Sequence, residues 1–112
     1  MKPKIICLTP VKNESWILDI FLKSTSLWAD YIIIADQFST DNSRDIVRKY
    51  SKAILVENNN SAYDEAYRQR LLINEARKIE GKKLFITLDA DEIFTPDLFL
   101  SNEWESICGA LS

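Results

Sequence analysis

The chain has 112 residues, 46% of them hydrophobic and 28% charged, with a formal net charge of −3 and no histidine. This is the balance of a single globular domain over residues 1–112; it argues against disorder and gives no electrostatic footprint for nucleic acid. Without an imidazole, a Ser/His/Asp triad, a Cys/His pair and a His-bearing zinc site are excluded within the chain, so any chemistry falls to carboxylates, Arg, Lys, amides or a bound metal.

No apolar run approaches the roughly 20 residues of a membrane span, and the N-terminal run is too short for a signal peptide. A cytoplasmic protein is expected. Cys7, in an apolar strand, and Cys108, on a helical face, lack CxxC spacing and read as reduced, buried thiols.

The first element is the strand "KIICLT", Lys4–Thr9. A helix follows from about Glu14, with Trp16, Ile17, Ile20, Phe21, Leu27 and Trp28 assigned to its apolar face. The second strand is "YIIIAD", Tyr31–Asp36; the helix after it turns Ile46, Val47 and Tyr50 inward. The third strand, "AILVE", covers Ala53–Glu57 and leads to a helix over Ala62–Ile79 whose stripe is Ala62, Ala66, Ile73 and Ala76, widened by Leu72 and Ile79. Glu65 and Gln69 interrupt that stripe, Arg70 lies at its margin and Arg68 on its opposite flank. The fourth strand is "LFITLD", Leu84–Asp89. Thr95, Pro96 and Asp97 then read as a helix start, continued by Trp104, Ile107, Cys108 and Leu111. The strands lack clean alternation, as strands buried on both faces do. The order βαβαβαβ therefore predicts a doubly wound α/β fold, a mainly parallel sheet with helices on both faces.

In such a sheet the ligand crevice lies beyond the carboxyl ends of the strands. All four ends are polar here: Lys12, Asn13 and Glu14 after the first; Asp36, Gln37, Ser39, Thr40 and Asp41 after the second; "ENNNS", Glu57–Ser61, after the third; "DADE", Asp89–Glu92, after the fourth. Singly these read as helix caps and loops. Together they point to a site on one rim. In an extended segment Asp89 and Asp91 would share a side, about 7 Å apart. That spacing suits a hydrated Mg²⁺ or Mn²⁺ completed by ligand phosphates and waters.

The ordered set "ICLTPVKNES", "YIIIADQFSTDNSRDIV", "YRQRLLINEA" and "LFITLDADE" resembles the donor-binding half of the inverting family 2 glycosyltransferases, which have the GT-A fold. The resemblance implies a nucleotide-diphospho-sugar partner, a UDP-sugar first among the candidates, and a Mn²⁺ or Mg²⁺ cofactor. It also implies roles for particular residues. Pro10, Asn13 and Glu14 would serve the nucleotide from the first strand end, and Asp36, Ser39 and Asp41 from the second. Arg70 would assist from the third helix, with Arg68 as the alternative. Asp89 and Asp91 would form the DxD pair, with Asp91 the direct metal ligand and Asp89 also near the ribose. Glu92, to which the resemblance assigns no role, is expected to brace the loop. Gln37 and Phe38 depart from the acid and glycine usual in that turn, leaving the choice of base open.

The family's acceptor half and its base lie many tens of residues beyond DxD, whereas 21 residues follow Asp91 here. A truncated piece of a larger enzyme is expected, with no catalytic base assigned in this chain and no transfer by the fragment alone. Two other readings stand beside this one. A non-catalytic nucleotide-binding or interaction module would explain the missing half. A haloacid-dehalogenase-like phosphatase would share DxD, but needs it on an early strand with a later Lys. A sheet lacking its second half should leave an apolar face uncovered, so a homodimer or weaker self-association is also expected.

Overall fold

The computed structural model describes residues 2–60, 62 and 64–91. Within them the elements run β1 (Lys4–Val11), α1 (Ser15–Ser26), β2 (Tyr31–Asp36), α2 (Ser43–Arg48), β3 (Ala53–Glu57), α3 (Glu65–Ala76) and β4 (Lys83–Thr87). The expected final helix, Glu92 and Cys108 lie outside the described residues.

All four strands are parallel, in the order β3-β2-β1-β4. The chain steps outward from β1 through β2 to β3, then returns across the sheet to β4. A right-handed crossover must change faces when the direction reverses. Accordingly α1 and α2 pack on one face with Cys7, Val11, Ile32 and Ile34, and α3 on the other with Ile6, Leu8, Ile33 and Ala35. The expected doubly wound fold is present. The near-continuous apolar runs of β1 and β2 follow from burial on both sides, since alternate residues face different helices. Cys7 is a free, buried thiol whose pKa burial pushes up to about 11.

The core face of α1 matches the expected one in part: Phe21 is buried and Ile17 and Trp28 pack against the core, but Trp16, Ile20 and Leu27 do not. Leu18, Phe21, Leu22 and Thr25 are the buried residues, while Trp16 is 73% and Leu27 77% exposed and Ile20 lies largely in solvent. The sequence carries two stripes at helical spacing, 18/21/22/25 and 16/20/27, and periodicity alone does not choose between them. The chain entry decides, because the N–H of Ser15 is tied to Asp41 at 3.1 Å and fixes how the helix begins. In α3 the stripe is shorter than expected. Leu72 and Ala76 are buried with Leu71, Ile73 and Ile79 packed beside them, whereas Ala62 and Ala66 are exposed. The helix starts at Glu65 because the Asp64 carboxylate caps it, accepting from the N–H of Tyr67 at 3.0 Å.

Candidate functional site

The reversal of strand order lies between β1 and β4, the outward and return paths of the chain. A crevice opens at such a point because the connections leaving neighbouring strands diverge to opposite faces. The turn after β2 is bound into the loop after β1. Asn13 stands in the left-handed region, at φ 52. In that conformation its Oδ1 accepts from the N–H of Thr40 at 2.7 Å and of Asp41 at 3.3 Å, while its own N–H donates to Ser39 Oγ at 2.9 Å. Ser39 in turn donates from both N–H and Oγ to the Asp36 carboxylate. Asp36 is 1% exposed, and its charge is met by Arg44 Nε at 2.8 Å, which also reaches Glu57 at 3.2 Å.

Asp41 completes the clip. One carboxylate oxygen accepts from Ser43 N–H at 3.0 Å and Ser43 Oγ at 2.6 Å, the other from Ser15 N–H. These hydrogen bonds, led by the one from the Ser43 hydroxyl, hold the Asp41 pKa down at about 2. One side chain thereby satisfies the first N–H groups of α1 and α2 with an anion, the charge that helix starts favour.

A cleft of about 190 Å³ lies against this clip, lined by Pro10, Val11, Lys12, Glu14, Ala35, Gln37, Asn58 and Arg68. Of the residues expected at the site, Pro10 and Glu14 line it directly. Asn13, Asp36, Ser39 and Asp41 are its frame and satisfy one another. Arg70 is exposed on α3, whereas Arg68 turns into the cleft, its side chain 16% exposed. The difference follows from the helix: two residues along, a side chain points about 200° away.

Asp89 and Asp91 follow β4, which ends at Thr87, so the extended geometry expected for them is replaced by a turn at Ala90 and Asp91. The alternation survives in the burial. Leu88 and Ala90 sit in the core beneath α1 and α2, and both aspartates are exposed. Their charges reach Glu14. Its pKa is raised, first by partial burial, against relief from a Lys12 backbone hydrogen bond; the weaker negative fields of Asp91 and Asp89 raise it further, and the Arg68 charge lowers it least. The cleft thus has Glu14, Lys12 and Arg68 in its lining, and Asp89 and Asp91, within electrostatic reach of Glu14, give it an acidic mouth.

That mouth fits a hard divalent cation in one particular way. No group of three or more metal-ligating side chains occurs among the described residues. Two carboxylates are, however, the usual protein share for Mg²⁺-type ions, which take their remaining oxygens from phosphates and water.

The family model for glycosyl transferase family 2 matches residues 7–109. The chain belongs to glycosyltransferase family 2. This membership sets the phosphatase reading aside. Among curated proteins, none matches this family 2 chain by sequence. Among solved structures it is similar to glucosyl-3-phosphoglycerate synthase from Mycobacterium tuberculosis, in complex with Mn²⁺, uridine diphosphate and phosphoglyceric acid. The TM-score is 0.64 at 18% identity. The match covers 88% of this chain and 36% of the synthase, so this glycosyltransferase chain spans about a third of its solved neighbour. At that identity the likeness establishes the GT-A type of fold.

Gln37 and Asn58 line the cleft; the sequence places both on the polar rim, after the second and third strands, without setting them apart from their polar neighbours. Asn58 directly follows the last residue of β3, and that position is the available signal.

Proposed function

We propose that this family 2 segment binds the donor of a glycosyl transfer reaction, a nucleotide-diphospho-sugar, with a UDP-sugar first among the candidates. The observation that carries the reading is the division of charge at the strand reversal. An acidic mouth formed by Glu14, Asp89 and Asp91 stands beside a cleft with Lys12 and Arg68 in its walls. A pocket of about 190 Å³ is smaller than the roughly 300–1,000 Å³ that encloses a drug-sized ligand, and so takes one part of a larger molecule. The nucleobase enters the cleft between Pro10, Val11 and Ala35, and the diphosphate lies across the mouth. Arg68 supplies the fixed cation, in preference to the exposed Arg70.

Mn²⁺ or Mg²⁺ would be held by Asp91 and Asp89, where it supplies charge neutralisation between the carboxylates and the diphosphate. Without it those anions repel one another across a short distance. Inverting transfer also requires a base to deprotonate the acceptor hydroxyl. No described residue is assigned that role. The donor site is the part of that reaction assigned to this segment.

Isothermal titration of UDP in Mn²⁺ and in EDTA tests the reading. Binding should require the metal in the wild type. Asp91→Ala should abolish the metal-stimulated part and Asp89→Ala should weaken it. Equal affinity of wild type and Asp91→Ala in both media would overturn the assignment.

A further inference from the structure

In a parallel sheet every connection from a helix back to a strand reaches one pole, opposite the rim that holds the cleft. The ladders place the four strand starts, Lys4, Tyr31, Ala53 and Lys83, within three residues of one level. The described segments at that pole are rich in positive charge, on a chain whose net charge is −3. Lys2 and Lys4 stand at the start of β1, and Lys82 and Lys83 at the start of β4. Lys49 and Lys52 lead into β3, and Arg77 and Lys78 follow α3. Against them the same segments carry only the carboxylates of Asp30 and Glu80.

Part of this charge serves the fold, because the helices end at this pole and their C-termini favour cations. Lys52 Nζ donates to Ser26 O at 2.7 Å, Lys4 Nζ to Glu80 O at 2.7 Å and Lys83 Nζ to Ile79 O at 2.5 Å. Bonds to carbonyls hold the ammonium groups in place without cancelling their charge. An ammonium has three N–H groups, so each of these retains at least one for another partner. Among the described residues no carboxylate lies within ion-pair distance of these three lysines, or of Lys49 and Lys82. An apolar group stands in the same field. Leu27, the C-cap of α1, is 77% exposed and adjoins the Ser26 carbonyl that Lys52 binds. A recess of about 240 Å³ lies among Lys2, Lys4, Gly81 and Lys82.

We propose that this pole is a docking surface for an anionic lipid bilayer, with the lysines on the headgroup phosphates and Leu27 entering the layer. Clusters of roughly four to eight basic residues are drawn to anionic membranes, and an inserted apolar group adds the second signal that stable attachment requires. The type of cation favours a fluid layer over a fixed partner. Arginine pairs bidentately with a placed phosphate or carboxylate, whereas lysine is a compact point charge, and every cation of this pole except Arg77 is a lysine. The arrangement is also broad, since four neighbouring strands span roughly 15 Å. A nucleic acid backbone would leave Leu27 in water. Docked in this way, the strands rise from the bilayer and the cleft at their far ends opens to solvent. The inference does not depend on what the cleft binds.

The test is co-sedimentation of the chain with vesicles of phosphatidylcholine alone and of its equal mixture with phosphatidylserine. Wild type should bind only the mixture. It should be released when salt rises from about 0.1 M to about 1 M, which shortens the screening length from roughly 10 Å to 3 Å. Each exposed lysine removed should weaken partitioning roughly fivefold, so Lys49→Gln combined with Lys82→Gln should cost at least about tenfold. Neither side chain is hydrogen-bonded among the described residues, and thermal melts should show the double variant folded. Leu27→Ser should weaken partitioning by roughly tenfold. Arg70→Gln removes the same charge from the half of α3 nearer the cleft and should stay within about twofold of wild type. Glycerophosphoserine, the headgroup without its acyl chains, should not displace the chain at millimolar concentration. Equal binding to both vesicle types, no binding to either, or equal losses in Arg70→Gln and the lysine pair would overturn the inference. So would displacement by the soluble headgroup, which marks a discrete anion site, or binding to polyglutamate without binding to vesicles, which marks an acidic protein partner.

Discussion

Asp41 accepts the backbone N–H of Ser15 at 3.1 Å, so the turn that ends one strand loop holds the first residue of the helix belonging to another. The same carboxylate holds Ser43 at the start of α2. Asp41→Asn keeps one acceptor oxygen and removes the charge and the other. Capping losses of this kind cost about 1 kcal/mol, which lowers the Tm of a small domain by several degrees. Its pH dependence is specific. The folded pKa of about 2 lies below the ordinary value of 3.8, so the stabilisation is fully present above about pH 4 and disappears as the pH falls through about 2. Melts of wild type and Asp41→Asn should therefore differ at pH 6 and converge near pH 2; a gap that persists in acid would show that the charge is not responsible.

Glu14 should behave in the opposite sense. Its pKa is raised, by burial first and then by Asp91 and Asp89, so its ionised form is disfavoured in the fold. That penalty is present above the raised value and vanishes below the ordinary value of 4.5. In metal-free buffer Glu14→Gln should gain less than about 1 kcal/mol of stability at pH 7, solvent screening keeping the effect small. The gain should close toward pH 4, and denaturant melts at both pH values would read it.

Arg68 and Arg70 are separated by a simple comparison. Charge-assisted hydrogen bonds to phosphate contribute roughly 1.5–3 kcal/mol, so Arg68→Ala should weaken metal-dependent UDP binding by one to two orders of magnitude. Arg70→Ala should leave it within about threefold, as expected for an exposed charge on the far side of the turn. A larger loss at Arg70 would contradict the placement of α3 against the cleft.

The exposed stripe of α1 makes a further prediction. Substituting Trp16 or Leu27 by Lys should change stability by less than about 0.5 kcal/mol, because neither is packed, whereas Phe21→Ala should cost about 3–5 kcal/mol. The same Lys variants should reduce self-association at high concentration, since contiguous apolar surface on a soluble chain promotes it. Light scattering that finds wild type strictly monomeric would remove the basis for that expectation.

Much of this fold can be read because its signals are local and strong. The span of β2 is legible from Tyr31 to Asp36, where a run of β-branched residues stops at a charged one. β3 is likewise bounded by Ala53 and Glu57. The site is legible as a rim, not as a set of contacts. Asn13, Asp36, Ser39 and Asp41 stand out for their polarity, and polarity does not distinguish a side chain that meets a ligand from one that holds the turn beside it. Asp36 is the clearest case: Ser39 and Arg44 surround its carboxylate. Arg68 ranks behind Arg70 in the sequence through the match to the family's helix arginine, and the expected apolar stripe of α3, which runs through the solvent-exposed Ala66, does not correct that order. A small residue at helical spacing is weak evidence for a buried face.

The strand order has one more implication, for how the chain comes to be folded. The middle strand β1 is made first, yet one of its two neighbours is β4, whose Lys83 pairs with Lys4. During synthesis β1, α1, β2, α2 and β3 can assemble as a nascent unit while Ile6, Leu8 and Ile33 wait for Leu72 and Ala76 of α3 to arrive. Contacts so distant along the chain are slow to form, because a long loop must close before they bring any reward. The nascent chain therefore carries a half-covered sheet until α3, ending at Ala76, has emerged, and β1 keeps an open edge until β4 closes it at Lys83–Thr87. The acidic mouth of the cleft is assembled only at that last step, when the return of β4 brings Asp89 and Asp91 to Glu14.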